Sequence, residues 1–168
     1  MTLSSPRLIL SPLTYEDREW VLALNQDPLW LRFIGSRGVL NIDDADDYIY
    51  RTNAQLSEWG YGLLAIRCKQ TNTAFGMCGL INRFSFCCPD LGFALLPSAR
   101  GQGIGLEAGD TVIKWAQSQG EFHFLTAMTH PQNTRSQQLL NRLGFIKQGY
   151  YFDKGLPKQI LFWKQLNK

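Results

Sequence analysis

The run Leu91 to Leu96 reads as a strand and ends at Pro97. It gives way to Ser98-Ala99-Arg100-Gly101-Gln102-Gly103-Ile104-Gly105, and a helical pattern begins at Leu106. Glycine lets a backbone turn its N–H groups inward and approach a ligand closely. A helix start adds unpaired N–H donors and a partial positive charge, and Arg100 adds a fixed cation. Arg100, Gly101, Gln102, Gly103, Ile104 and Gly105 therefore have the parts of a pyrophosphate cradle. The plain alternative is a ligand-free helix start, weakened by three glycines with no packing gain.

Two common nucleotide loops fit this segment poorly. No Lys-Ser or Lys-Thr follows a glycine, as a G-x-x-x-x-G-K-[ST] phosphate loop requires. The dinucleotide pattern G-x-G-x-x-A can be laid on Gly103, Gly105 and Ala108, but that fingerprint opens a fold and is followed by several βα units. Only 63 residues follow Gly105 in the 168-residue chain, and Glu121 precedes its strand rather than ending it.

The elements that must carry the loop are legible in outline. Arg7 to Leu13 reads as a first strand, and Thr14 with Asp17 suits a capping box for the helix over 15–25, which Pro28 stops. A second helix follows Asn41 and ends by Gly60. Tyr61 to Cys68 and Ala74 to Phe84 read as a hairpin around Lys69-Gln70-Thr71-Asn72, and Leu91 to Leu96 as the fourth strand. The helix over 106–119 has an apolar face of Val112, Ile113, Trp115 and Ala116. Phe122 to Met128 is a fifth strand, and Thr134 to Leu143 a last helix closed by Gly144. Phe145 to Phe152 and Gln159 to Leu166 are strands around a Lys154-Gly155-Leu156-Pro157 turn. The order β-α-α-β-β-β-α-β-α-β-β implies one domain over residues 1–168, an α/β (α+β) fold with a mixed sheet covered by helices.

Composition narrows the classes. Hydrophobic residues make up 45% of the chain and charged ones 18%, and the formal net charge is only +3, so charge gives no support for a nucleic-acid partner. No apolar run approaches the roughly 20 residues of a membrane span, and Met1 to Arg7 has no signal-segment pattern. The four cysteines, at 68, 78, 87 and 88, include no C-x-x-C pair, so reduced thiols in a cytoplasmic protein are expected and a metal site is not.

A second segment agrees with the first. Arg100-x-x-Gly103-x-Gly105 resembles the pyrophosphate loop of the GNAT N-acetyltransferase superfamily. Asn133-Thr134-Arg135-Ser136-Gln137-Gln138-Leu139-Leu140-Asn141-Arg142-Leu143-Gly144-Phe145 is similar to that superfamily's N-x-x-S-x-x-L-L-x-x-L-G-F signature. The likeness is to the branch named for ribosomal-protein N-terminal acetyltransferases, as in Arg7-Leu8-Ile9-Leu10-Ser11-Pro12-Leu13-Thr14 and in Asp44-Ala45. It spans essentially the whole chain.

The resemblance implies a mostly antiparallel sheet of six to seven strands flanked by about four helices, with strands 4 and 5 splayed like a V. It implies acetyl-CoA as cosubstrate and no metal. The backbone around Leu95 and Leu96 would hold pantetheine and polarise the thioester carbonyl. Residues Gly101 to Gly105 would hold the pyrophosphate and Asn133 the pantetheine arm, while Arg135 or Arg142 would reach the 3′-phosphate. For Arg135 a solvated surface role stands beside that one.

The implied reaction is direct attack of an amine on the thioester. Many relatives place a Tyr acid seven residues after the Asn, where this chain has Leu140. Ser136 is the implied substitute for protonating the leaving thiolate, with plain capping as its other reading. Asp90, opening the fourth strand, is either a base acting through water or a simple strand-end carboxylate. Glu107 suits its helix dipole. His123 and His130 lack evident partners, and Tyr150 and Tyr151 suit strand core as well as an acceptor pocket. Asp43, Asp44, Asp46 and Asp47 either attract a cationic amine or cap a helix. The acceptor is an amine, with a protein N-terminus favoured over a small amine; a non-catalytic acyl-CoA module is the third reading. Oligomeric state is open.

Overall fold

Leu64 and Ile66 pack on one face of their strand and Ala65 on the other, and all three are fully buried. A strand buried on both sides needs helices on both faces of its sheet. The computed structural model describes residues 1–83, 86–152 and 157–166. Its eight strands are β1 (Leu3–Ser4), β2 (Leu8–Ser11), β3 (Leu63–Cys68), β4 (Ala74–Ile81), β5 (Asp90–Leu95), β6 (Phe124–Thr129), β7 (Ile146–Tyr151) and β8 (Gln159–Gln165). They form one sheet in the order β1-β2-β3-β4-β5-β6-β8-β7. Every pairing is antiparallel except that of β5 with β6.

The helices are α1 (Arg18–Asn25), α2 (Pro28–Phe33), α3 (Ile42–Trp59), α4 (Ile104–Gln119) and α5 (Thr134–Arg142). Val112, Ile113 and Ala116 of α4 and Leu140 of α5 pack with Leu64, Ile66, Cys78 and Leu80 on one face. On the other, Val21 and Ile49 pack with Ala65, and Trp30 with Met77. The mixed, mostly antiparallel fold is the expected one, with one more strand and one more helix than expected. The additional strand β1 is only two residues long, too short to show periodicity.

The additional helix is α2. Pro28 stops nothing; it opens α2 at the first helical position, where its missing N–H costs nothing. Asp27 caps the helix, its Oδ1 accepting from Leu29 N at 3.0 Å and Trp30 N at 3.2 Å. The Thr14–Asp17 relation is present, Thr14 N donating to Asp17 Oδ2 at 2.8 Å, and it opens a 3-10 turn ahead of α1. Phe84 of the expected hairpin and Lys154, Gly155 and Leu156 of the expected turn lie outside the described residues.

The splay lies where β5 and β6 run side by side. These six-residue strands share a single ladder pair, Asp90 with Thr126, fixed by Thr126 N donating to Pro89 O at 2.9 Å. Beyond it they pair no further, and the gap lies between Leu95 at one strand end and Thr129 at the other.

Candidate active site

The glycine loop sits at the end of β5. Gly101 and Gly103 both have φ of +76°, a left-handed conformation that residues with a Cβ adopt at a cost. A Cβ on Gly101 would meet nothing within 4 Å, so the loop borders open space. Gly103 is the N-cap of α4, whose first-turn N–H groups lack intrahelical partners. Gly105 does different work. It is buried, and a Cβ there would lie 3.2 Å from Leu139 Cδ2, so its smallness lets α4 approach α5.

Gln102 braces the loop from behind. Its Nε2 donates to Ser98 O, and its carbonyl accepts from Arg7 Nη1 at 3.1 Å. Arg7 Nε in turn donates to Glu107 Oε2 at 2.6 Å, and Ser5 Oγ donates to Glu107 Oε1 at 2.6 Å. Partial burial pushes the Glu107 carboxyl up. The hydrogen bonds from Ser5 and Arg7 outweigh that and hold it below the usual carboxylate range.

Leu96 cannot serve as a donor to a thioester, which corrects the expectation. Its N–H goes to Phe75 O at 2.9 Å and its carbonyl accepts from Ala99 N at 3.0 Å. Hydrogen-bonded pairs alternate along an antiparallel ladder. Because Leu96 is bonded to Phe75, Ala94 is bonded to Met77, while Leu95 opposite Gly76 and Phe93 opposite Cys78 turn their backbone groups away from β4. The N–H groups of Phe93 and Leu95 therefore face the gap toward β6. Arg100 takes the Leu95 carbonyl, donating from Nε at 3.1 Å, and its Nη2 reaches Asp27 Oδ1 at 2.8 Å.

Across the gap, Asn133 caps α5, accepting from Ser136 N through Oδ1 at 3.2 Å. The half-buried Ser136 has no partner for its Oγ among the described residues. Arg135 and Arg142 are exposed, and neither has an ion pair among the described residues. Leu140, at the position where many relatives place a Tyr, is fully buried in the core.

These parts enclose a cleft of about 950 Å³. Of the expected residues, it brings together Leu95, Arg100, Gly101, Gly103, Ile104, Gly105, Asn133, Arg135, Ser136 and Arg142. It adds a wall that sequence reasoning missed: Leu29, Trp30, Phe33 and Ile34, from α2 and the residue after it, stand opposite the glycine loop with Phe93. No Asp, Glu, His, Tyr or Cys lines it among the described residues.

Asp90 stands outside the cleft. It is 1% exposed, accepting from Arg83 Nε at 2.7 Å and Thr126 Oγ1 at 3.2 Å, at the closed end of the splay. Burial raises its carboxyl pKa, with Arg83 and Thr126 opposing. The geometry makes it a brace between β5 and β6. His130 packs its ring 5.5 Å from Phe33 and accepts from Gln132 N through Nδ1 at 3.1 Å. Tyr150 lies 3.6 Å from Lys158 Nζ, and Tyr151 packs on Phe86, both away from the cleft. In the acidic cluster, Asp44 caps α3 with Asn41 and Asp46 meets Arg18 at 3.4 Å.

The strand-end glycine loop, the splay and the Asn-capped helix all lie within residues 7–146, which match the family model of the acetyltransferase (GNAT) domain. The chain belongs to the GNAT acetyltransferase family. It is 27% identical over 154 residues to an uncharacterised N-acetyltransferase, p20, of Bacillus licheniformis, covering 90% of this chain and 86% of that one. Over 71 residues it is 38% identical to the ribosomal protein uS5-alanine N-acetyltransferase of Escherichia coli K12, covering 42% of this chain and 37% of that enzyme. The microcin C7 self-immunity acetyltransferase MccE, solved with acetyl-CoA and AMP, superposes with a TM-score of 0.81 at 19% identity, covering 96% of this chain and 93% of that one. This GNAT chain is an acetyltransferase, and none of its described helices is long and apolar enough to cross a membrane.

Proposed function

We propose that the cleft binds acetyl-CoA and that the enzyme acetylates the α-amine of a protein or peptide N-terminus in the cytoplasm. The cleft fits the cosubstrate's charge: three arginines and the start of α4 offer donors to phosphates, and Gly101 leaves space beside them. Arg100 and residues 101–105 hold the pyrophosphate, Arg135 and Arg142 the 3′-phosphate, and Asn133 Nδ2 the pantetheine arm.

The likeness to the uS5-alanine N-acetyltransferase carries the choice of acceptor, and the amines' own acidities favour the same choice. An α-amine, with a pKa of about 7.7–8.0, is about a quarter to two-fifths neutral at pH 7.5, whereas a lysine-like amine at about 10.4 is roughly 0.1% neutral. The first therefore needs far less help from a base before it attacks than the second.

Acetyl-CoA supplies the acetyl group as a thioester, so amine attack generates an oxyanion and then a thiolate. The N–H groups of Phe93 and Leu95 face the gap where such an oxyanion is stabilised. Ser136 Oγ–H donates to the leaving thiolate and passes it a proton as its oxygen takes one back from the water that received the amine's, so the hydroxyl is restored. Asp90 takes no part beyond holding β5 to β6.

The test is a panel assayed by mass spectrometry with isotopically labelled acetyl-CoA. It contains peptides starting with Ala or Ser, the same peptides N-terminally blocked with an internal Lys, and spermidine. Label on free α-amines and on neither control is the expected result. Label chiefly on Lys or spermidine overturns the α-amine reading, and acetyl-CoA binding with no transfer to any amine overturns the enzyme's proposed role.

A further inference from the structure

We propose that Arg100 and Asp27 are a positioning pair that ties occupancy of the glycine loop to the placement of α2, the apolar wall of the cleft. Resting on the proposal that the cleft binds acetyl-CoA, it gives Arg100 a second role beside any contact with phosphate.

Asp27 Oδ1 alone accepts from three donors: Leu29 N at 3.0 Å, Trp30 N at 3.2 Å and Arg100 Nη2 at 2.8 Å. The oxygen that caps α2 is thus the one that holds the guanidinium. Arg100 Nε also holds the Leu95 carbonyl, at the end of the strand whose N–H groups face the gap. A guanidinium carries five N–H donors in a rigid plane. Those on Nη1 have no partner among the described residues and remain available to an anion in the loop.

Helix α2 needs this anchor. It has six residues, and isolated helices so short do not persist in water. Besides its cap, it is held by Trp30, 5% exposed against Leu24 and Met77, by Phe33 packed on His130 and by Arg32 Nη2 donating to Gln132 Oε1 at 3.1 Å, while Leu29 and Ile34 are more than a third exposed. Burial raises the Asp27 carboxyl pKa, and the Arg100, Trp30 and Leu29 donors more than reverse that, so it is held low and charged at neutral pH. A phosphate that orders the guanidinium therefore orders the cap, and with it the wall formed by Leu29, Trp30, Phe33 and Ile34. By linkage, an acceptor resting on that wall favours the loop conformation that holds the cofactor.

The experiment is hydrogen exchange on the full chain, following the segment 27–34 with and without saturating CoA, with CoA binding measured separately by calorimetry. In the wild type, CoA is expected to slow exchange in this segment at least fivefold. Asp27→Asn keeps a capping oxygen but removes the charge facing Arg100; CoA still binds, and the slowing falls below twofold. If that variant does not fold, Asp27→Ser supplies an alternative cap and gives the same expectation. The KM for an Ala-starting peptide rises severalfold in either variant, with a smaller change in kcat. CoA that binds the wild type without slowing segment 27–34, or that slows the variant equally, overturns the positioning pair alone. No CoA binding to the wild type overturns the cofactor site and this pair together.

Discussion

Leu96 gives its N–H to the Phe75 carbonyl at 2.9 Å, and that one bond settles which backbone groups of β5 meet the cleft. Strand side chains and hydrogen bonds alternate, so a residue bonded to β4 alternates with one turned toward β6. Phe93 and Leu95 are the latter. The carbonyl stretch of acetyl-CoA bound in the cleft is therefore expected at lower wavenumber than in water, as read by isotope-edited infrared spectroscopy. A band that stays put or moves higher would rule out polarisation by these donors.

Ser136→Ala removes the Oγ–H that has no partner among the described residues, while the bond from its backbone to Asn133 Oδ1 survives. We expect kcat, followed as thiol release, to fall at least tenfold, with the acetyl-CoA Kd within twofold of wild type. The fold is expected to hold, because Ala is the stronger helix former. Wild-type turnover would retire Ser136 as the thiolate's proton donor.

Asp90→Ala separates brace from base. Removing one partner of a buried ion pair costs about 3 kcal/mol, a fall in Tm of roughly 10 °C for a chain of this size. Turnover well below the new Tm should stay within about threefold of wild type. Loss of a general base instead lowers turnover by about 100-fold or more, and a loss of that size with an unchanged Tm would restore Asp90 to the chemistry.

Glu107, held below the usual carboxylate range, stabilises the folded chain above the unfolded carboxyl pKa of about 4.3. That contribution is lost as pH falls through the lower folded pKa. Glu107→Gln should be less stable than wild type by about 1 kcal/mol at pH 7. In urea unfolding the gap between the two should narrow as pH falls below about 4.3 and through the lower folded pKa. A gap that does not narrow at all as pH falls from 7 into the acid range would mean that the charge on Glu107 is not what holds Arg7 and Ser5.

The glycine loop and the last helix were legible because each is a local pattern, fixed by residues a few positions apart, whereas the cap that Asn133 gives that helix was not read. The parity of Leu95 and Leu96 was not, since a shift of one residue exchanges the roles of neighbours and only the pairing with β4 reveals the register. Pro28 misled because proline both ends helices and begins them; the deciding partner, Asp27 Oδ1 on two following N–H groups, is a matter of conformation. Arg100 meets Asp27 across 73 residues, a separation no local pattern reports. Asp90 is chemically suited to act as a base, and only its burial against Arg83 and Thr126 shows it as a brace.

The most direct measurement is a calorimetric titration of the wild type and of Gly103→Val with acetyl-CoA, using NADH as the control nucleotide. A β-branched residue at φ +76° strains the loop, and its Cβ would stand 3.4 Å from Arg7 Nη2. One-to-one binding of acetyl-CoA by the wild type, no response to NADH, and affinity at least tenfold weaker in a folded variant are the predicted results. No binding of acetyl-CoA by the wild type, or equal affinity in Gly103→Val, would contradict the placement of the cofactor in this cleft.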